Sequence, residues 1–313
     1  MSGATGQDLA RELLQFDLPV LASALLALTA CATMGNWLVL RKESMTGDAI
    51  AHSVLPGIVA GFLVAGRHSL VAMFIGAAIA GALAVVLANL VQRRTRLESG
   101  AGLGIVFSAF FALGVALLET QGARQVDLDP GCVLFGSLET LFIAPPPDGH
   151  WLAGVAHETW VLAAAAALVT ILSLLFSKEL AALCFDREHA RVAGIAPRAL
   201  EPAMLFVTSL AIVASFEAVG SLLVVALLAC PSLIAAPHAR SLRARFTISL
   251  AAGGVLTIAG YLLAAHAPAA LGTSHSLNAA GMIALLLGAA VPVSFMLLRL
   301  SASVRRPISR RQA

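Results

Sequence analysis

The stretch LPVLASALLALTACATMGNWLVL, residues 18–40, runs for 23 residues without a charge. A helix needs about 20 apolar residues to cross the hydrocarbon core of a bilayer, so this run predicts a membrane span. The basic pair Arg41 and Lys42 follows at once, where such a span would leave the lipid. Residues 1–17 before it are polar and acidic, and no removable leader is expected there.

Working outward, eight more apolar runs are expected to span: 48–64, 69–91, 101–118, 160–176, 200–216, 218–236, 247–265 and 277–298, nine in all with the first. None alternates with a period of two, which favours helices over a barrel. Of the 313 residues, 59% are hydrophobic and 12% charged, with a mean hydropathy of +0.91. Soluble domains carry about 25% charged residues, so an ordinary soluble domain is excluded. The expected fold is an all-α integral membrane protein: an external segment at 1–17, one membrane domain at 18–298, and a basic tail at 299–313.

The basic residues test the count. If nine spans alternate, one side receives 17 of the 20 Lys and Arg, and the other holds only Arg11, Arg67 and Arg124. The positive-inside rule then puts the N-terminus outside and the C-terminus in the cytoplasm. One span more or fewer in mid-chain would scramble this split. The net charge of +3 is its by-product, and no nucleic-acid partner is expected.

Just after the first span, Asp48 and His52 stand four residues apart, which on a helix stacks them one turn apart on one face. Ionisable groups in a membrane span are costly and mark routes for ions or substrate. A neutral imidazole nitrogen beside a carboxylate oxygen is half of a site for a divalent transition metal. Two other readings stay open on the residues alone: Asp48 as the cap of the second helix with His52 merely packed, and the pair as a proton relay. A metal site usually takes four or more ligands, so a second copy of the chain or water would have to complete this one.

Two loops stand out. Residues 119–159 are expected outside and are acidic, with Asp127 and Asp129 among six carboxylates against Arg124 alone. Such a vestibule would concentrate cations, or be a plain solvated loop. Residues 177–199 are expected inside, where Asp186 can cap a two-turn helix that Gly194 ends. Glu217 is placed at the outer turn between the sixth and seventh spans, as a cation relay or an exposed turn residue. The pair Gly57 and Gly61 would allow close helix approach, and Pro56, Pro231 and Pro292 should kink or break their spans. The four cysteines are scattered without a CxxC, as ordinary thiols. No phosphate-binding G-x-x-x-x-G-K-[ST], GxSxG or HExxH motif occurs. The chain is therefore not expected to be an enzyme, and any energy must be spent by a partner.

Several stretches together resemble the membrane permeases of bacterial ABC importers for manganese, zinc and iron, the ABC-3 family. They are Leu38 through Gly57 with its Gly-Asp-Ala-x-x-His core, Gly102 to Phe107, Val126 to Gly136, Phe185 to Ile195, and Ala218 to Val224, with Pro231 at a matching kink. The resemblance implies a type II importer-like permease in the bacterial inner membrane. It also implies a dimer, of two copies or with a paralogue, two cytoplasmic ATPase subunits and an external metal-binding protein. By that resemblance Asp48 and His52 match metal-contacting positions, and Asp127, Asp129 and Glu217 lie along a possible metal pathway. Phe185, Asp186, Glu188, Ala190 and Gly194 match the coupling helix that touches the ATPase. No permanent cofactor is implied, only the transported ion, and Asp127 to Gly136 leans toward the manganese and iron branch. Glu217 and the loop 271–278 depart from the family pattern. Without the resemblance, an ion-coupled secondary transporter or a permease for metal chelates would also suit the residues.

Overall fold

The computed structural model describes residues 17–66, 70–95, 99–119, 138, 157–270 and 277–304. Regular structure among them is helical throughout. Chain order gives α1 (Leu18–Leu40), α2 (Ser44–Ser53), α3 (Leu55–Ala65), α4 (Leu70–Thr95), α5 (Ser99–Leu118) and α6 (His157–Leu175). There follow α7 (Ser177–Phe185), α8 (Arg187–Val192), α9 (Pro197–Ala235), α10 (Leu242–Ala270) and α11 (Ala279–Val304). Among the described residues, eight stretches are long and apolar enough to cross a membrane. A ninth, Thr159–Leu175, qualifies together with Ser177–Phe185, from which it is bent by 68°. Each of the nine runs read from the sequence thus falls on a helix among the described residues, eight of them qualifying alone and the fifth only together with α7.

α1 is the central helix, and α6, α9 and α10 all pack on it. α6 runs parallel to it: the Ser23 and Thr159 hydroxyls meet at 3.0 Å near one end, and Trp37 Nε1 donates to Ser173 Oγ at 2.7 Å near the other. α10 runs antiparallel, with Phe246 against the Trp37 ring, Asn36 Nδ2 donating to Ser249 Oγ, and the Tyr261 hydroxyl donating to Asp17. Pairing polar groups across helices removes their desolvation cost within the apolar interior.

α9 is 39 residues long. Drawn straight it would extend about 58 Å, nearly twice the hydrocarbon core. It reverses instead. Glu201 reaches Arg41, while Ser232 accepts from Arg245 on the helix whose Phe246 lies on Trp37. Both ends of α9 thus sit at the Arg41 end of α1, and Ser215 lies deeper, at Cys31. The reversal falls at Gly220, whose φ of 78° and ψ of 165° suit glycine alone. Helical geometry continues through Pro231 and Pro292. Of the three prolines expected to kink or break their spans, Pro56 coincides with an interruption, the change from α2 to α3 at Val54.

The second span begins earlier than expected, at Ser44 and not at residue 48. Lys42 takes a left-handed conformation (φ 61°), and Glu43 N–H donates to Leu38 O at 2.9 Å. This tight turn lets the next helix start at once. Asp48 is consequently the fifth residue of α2, and the capping reading is withdrawn: Glu43 holds the N-cap position.

α3 then lies on α4 with backbone against backbone. A Cβ added at Gly57 would stand 2.2 Å from Gly76 O, and one at Gly61 would stand 2.3 Å from Ala72 O. The small-residue spacing in the sequence is a true helix contact.

Candidate metal site and coupling helices

α2 places Asp48 and His52 one turn apart, with His52 Nε2 3.4 Å from Asp48 Oδ1. The side chains are 43% and 31% exposed, so the pair faces out of the chain and is not sealed in its core. Donors this far apart can both lie about 2.2 Å from one ion, at an angle of ~100°. No third His, Cys, Asp or Glu joins them among the described residues. The set is open, as a transit site must be if the ion is to leave again.

On one side the His52 ring meets α5. Phe107 lies 5.6 Å away between centroids, tilted by 31°, and Phe111 lies 6.0 Å away, edge-on at 85°. The opposite face of α2 is different. Thr46 and Ile50 border a cavity of about 510 Å³ between α2, α4 and the first half of α9, reaching Gly81, Gln92 and Ser209. Ser209 Oγ is buried there without a hydrogen-bond partner among the described residues.

Charged groups ring the mouth of this cavity. Arg41 Nη2 lies 2.8 Å from Glu43 and 3.6 Å from Glu201, and Arg187 Nη2 lies 2.8 Å from Glu201. Burial opposes the charge on Arg41, but the hydrogen bond and field of Glu43, aided by Glu201, outweigh it and raise its pKa. The chain Glu43–Arg41–Glu201–Arg187 joins the end of α1, the start of α2, α8 and the foot of α9.

The loop at 177–199 folds as two short helices. Asp186 caps α8, its Oδ1 accepting from Glu188 N at 3.0 Å and His189 N at 2.9 Å. Gly194, at φ 82°, ends the segment, and Ile195 N–H donates back to Ala190 O. Both features follow the sequence reading. The five residues named for this loop divide by role. Phe185 is 73% exposed and Glu188 projects with it, paired to Arg191, whereas Ala190 is fully buried. Asp186, Ala190 and Gly194 build the helix, and Phe185 and Glu188 face outward.

Glu217 lies in α9 three residues before the Gly220 reversal, far along the chain from the Arg41 end. Asp127 and Asp129 lie outside the described residues. Sequence reasoning missed the two phenylalanines and the ion-pair chain. Phe107 and Phe111 carry no signal within an apolar helix, and Arg41 and Glu201 are 160 positions apart.

The sequence profile of the ABC 3 transport family matches residues 14–291. The manganese transport system membrane protein MntD of Bacillus subtilis is 36% identical over 256 residues, covering 80% of this chain and 84% of MntD. The manganese transport system membrane protein MntC of the same organism is 34% identical over 248 residues. That match covers 78% of this chain but 54% of MntC, so the chain spans about half the length of that relative. Among solved structures, PsaBC from Streptococcus pneumoniae in complex with Fab has a similar fold, with a TM-score of 0.75 at 24% identity over 95% of this chain and 100% of that one.

Proposed function

This chain belongs to the ABC 3 transport family, and from that premise we propose that it is the permease subunit of an ATP-driven importer for a divalent transition metal. Manganese is the favoured cargo, since the relatives MntC and MntD are named for it. Imidazole and carboxylate donors accept Zn2+ and Fe2+ as well. The observation that carries the reading is the Asp48–His52 pair, 3.4 Å apart on one face of a membrane helix. A carboxylate within a span costs about 2.5–3.5 kcal/mol on insertion scales, a cost that function must justify.

In this reading the basic end of the bundle is cytoplasmic, following the positive-inside rule. The metal arrives from an external binding protein at the opposite end. Two copies of the chain meet with Asp48 and His52 on their common axis, and the second copy or water supplies the missing ligands. The exposed face of α7 and α8, with Phe185 and Glu188, docks on the ATPase. Motion there reaches α2 through Arg187, Glu201 and Arg41.

The test is uptake of radioactive Mn2+ into proteoliposomes holding the permease, its ATPase and the binding protein. Asp48→Ala and His52→Ala should each lower uptake by about tenfold or more. Uptake at the wild-type rate in both variants would end the assignment.

A further inference from the structure

His52 has one polar neighbour among the described residues, Asp48. Metal-binding histidines ordinarily donate their second ring nitrogen to a carbonyl or carboxylate, which fixes the tautomer and the plane of the ring. No such hydrogen bond restrains His52 among the described residues. Without one, the imidazole can rotate about its ring torsion, a broad and soft coordinate, and Nε2 can leave Asp48.

What stands in that place is aromatic. Phe107 and Phe111 are one turn apart on α5, so both rings project from the same face. They meet the imidazole in two different planes, one tilted by 31° at 5.6 Å and one nearly perpendicular at 6.0 Å. Offset and edge-on contacts are the two favoured arrangements for aromatic rings. A ring held from two directions is restrained in rotation as well as in position. The pair is itself seated: Phe107 packs with the buried cluster of Ala49, Ala84, Ala88, Leu103 and Val106, and Phe111 with that of Leu55 and Val59. Each phenylalanine is therefore keyed to a different half of the second span.

We propose that Phe107 and Phe111 are positioning residues for metal transit, setting the His52 imidazole so that Nε2 and Asp48 Oδ1 face one ion. The proposal rests on the metal reading of Asp48 and His52. Two phenylalanines do here what a hydrogen bond does in resident metal sites. They offer no acceptor that would raise the basicity of the imidazole, so the ion is oriented without being gripped.

The experiment is Mn2+ uptake by the reconstituted importer with the double variant Phe107→Leu and Phe111→Leu, the double variant Phe107→Tyr and Phe111→Tyr, and the single variants Asp48→Ala and His52→Ala. Leucine keeps an apolar side chain and removes the ring, and tyrosine keeps the ring. Assembly of each variant with the ATPase is checked by size exclusion before reconstitution. The leucine pair should raise the KM for Mn2+ about tenfold with little change in maximal rate, and the tyrosine pair should stay within about twofold of wild type. Unchanged KM in the leucine pair, with Asp48→Ala and His52→Ala inactive, overturns the positioning role while leaving the metal site standing. A KM raised equally by leucine and tyrosine also overturns it. Full uptake by Asp48→Ala and His52→Ala removes the metal reading, and this proposal with it.

Discussion

Beyond Val54 the second span lies on α4 with Gly57 and Gly61 against backbone carbonyls, whereas before Val54 the same span has a cavity of about 510 Å³ at its back. The two halves are consecutive in sequence and differ on one face: Thr46 and Ile50 border that cavity, although Gly47 beside them lies close against Leu228 and Leu38. A Cβ added at Gly57 would stand 2.2 Å from the Gly76 carbonyl oxygen, so no larger residue fits at this crossing. α2 borders the cavity through Thr46 and Ile50, carries two rings against His52, and has its foot held by ion pairs. Backbone contact fixes α3 on α4, and the cavity gives one face of α2 room that α3 lacks there.

The contrast can be broken most forcefully on the tight side. Gly57→Val would drive two methyl groups into the α4 backbone, and we expect a loss of about 3 kcal/mol, read as a lowered melting temperature in detergent. A variant as stable as wild type would mean that α3 and α4 do not meet as described. On the loose side, Glu201→Ala removes the carboxylate shared by Arg41 and Arg187 and leaves Arg41 with Glu43 alone. It should cost about 1–3 kcal/mol and weaken the coupling of ATP hydrolysis to uptake; unchanged coupling would sever the supposed link from α8 to α2. The smallest effect belongs to Ser209→Ala, which deletes a buried hydroxyl beside the cavity that has no partner among the described residues. Stability should stay within about 0.5 kcal/mol or rise slightly. A clear loss would mean that this hydroxyl is hydrogen-bonded after all.

Much of this architecture was legible in the chain. Long uncharged runs and the one-sided distribution of Lys and Arg specified nine spans, because lipid forces helices of fixed length and the basic residues punish a miscount. Asp186 and Gly194 announced a short helix because a capping carboxylate and a left-handed stop are local chemistry. The Asp48–His52 pair was visible because helical spacing alone puts the two on one face. The reversal at Gly220 was placed near Glu217 instead, since Glu217 is the one charge that interrupts this apolar stretch whereas Gly220 leaves hydropathy unbroken. The early start of α2 at Ser44 depends on a left-handed Lys42, which composition does not reveal. The ring pair on α5 and the chain of charges from Glu43 to Arg187 are long-range meetings. Nothing in a local window distinguishes Phe107 from any other core phenylalanine.

The contact between Gly57 and Gly76 has a consequence for where the metal pair sits in the bilayer. Gly57 follows His52 by five residues, about 7.5 Å of helix rise. A slip of one residue along α4 would bring Pro56 or Ile58 onto the Gly76 carbonyl, where neither fits. The glycine crossing thus works as an index mark, fixing the position of the Asp48–His52 turn along α4. In the proposed dimer, that register would bring the donors of both copies to one level without any measurement between them.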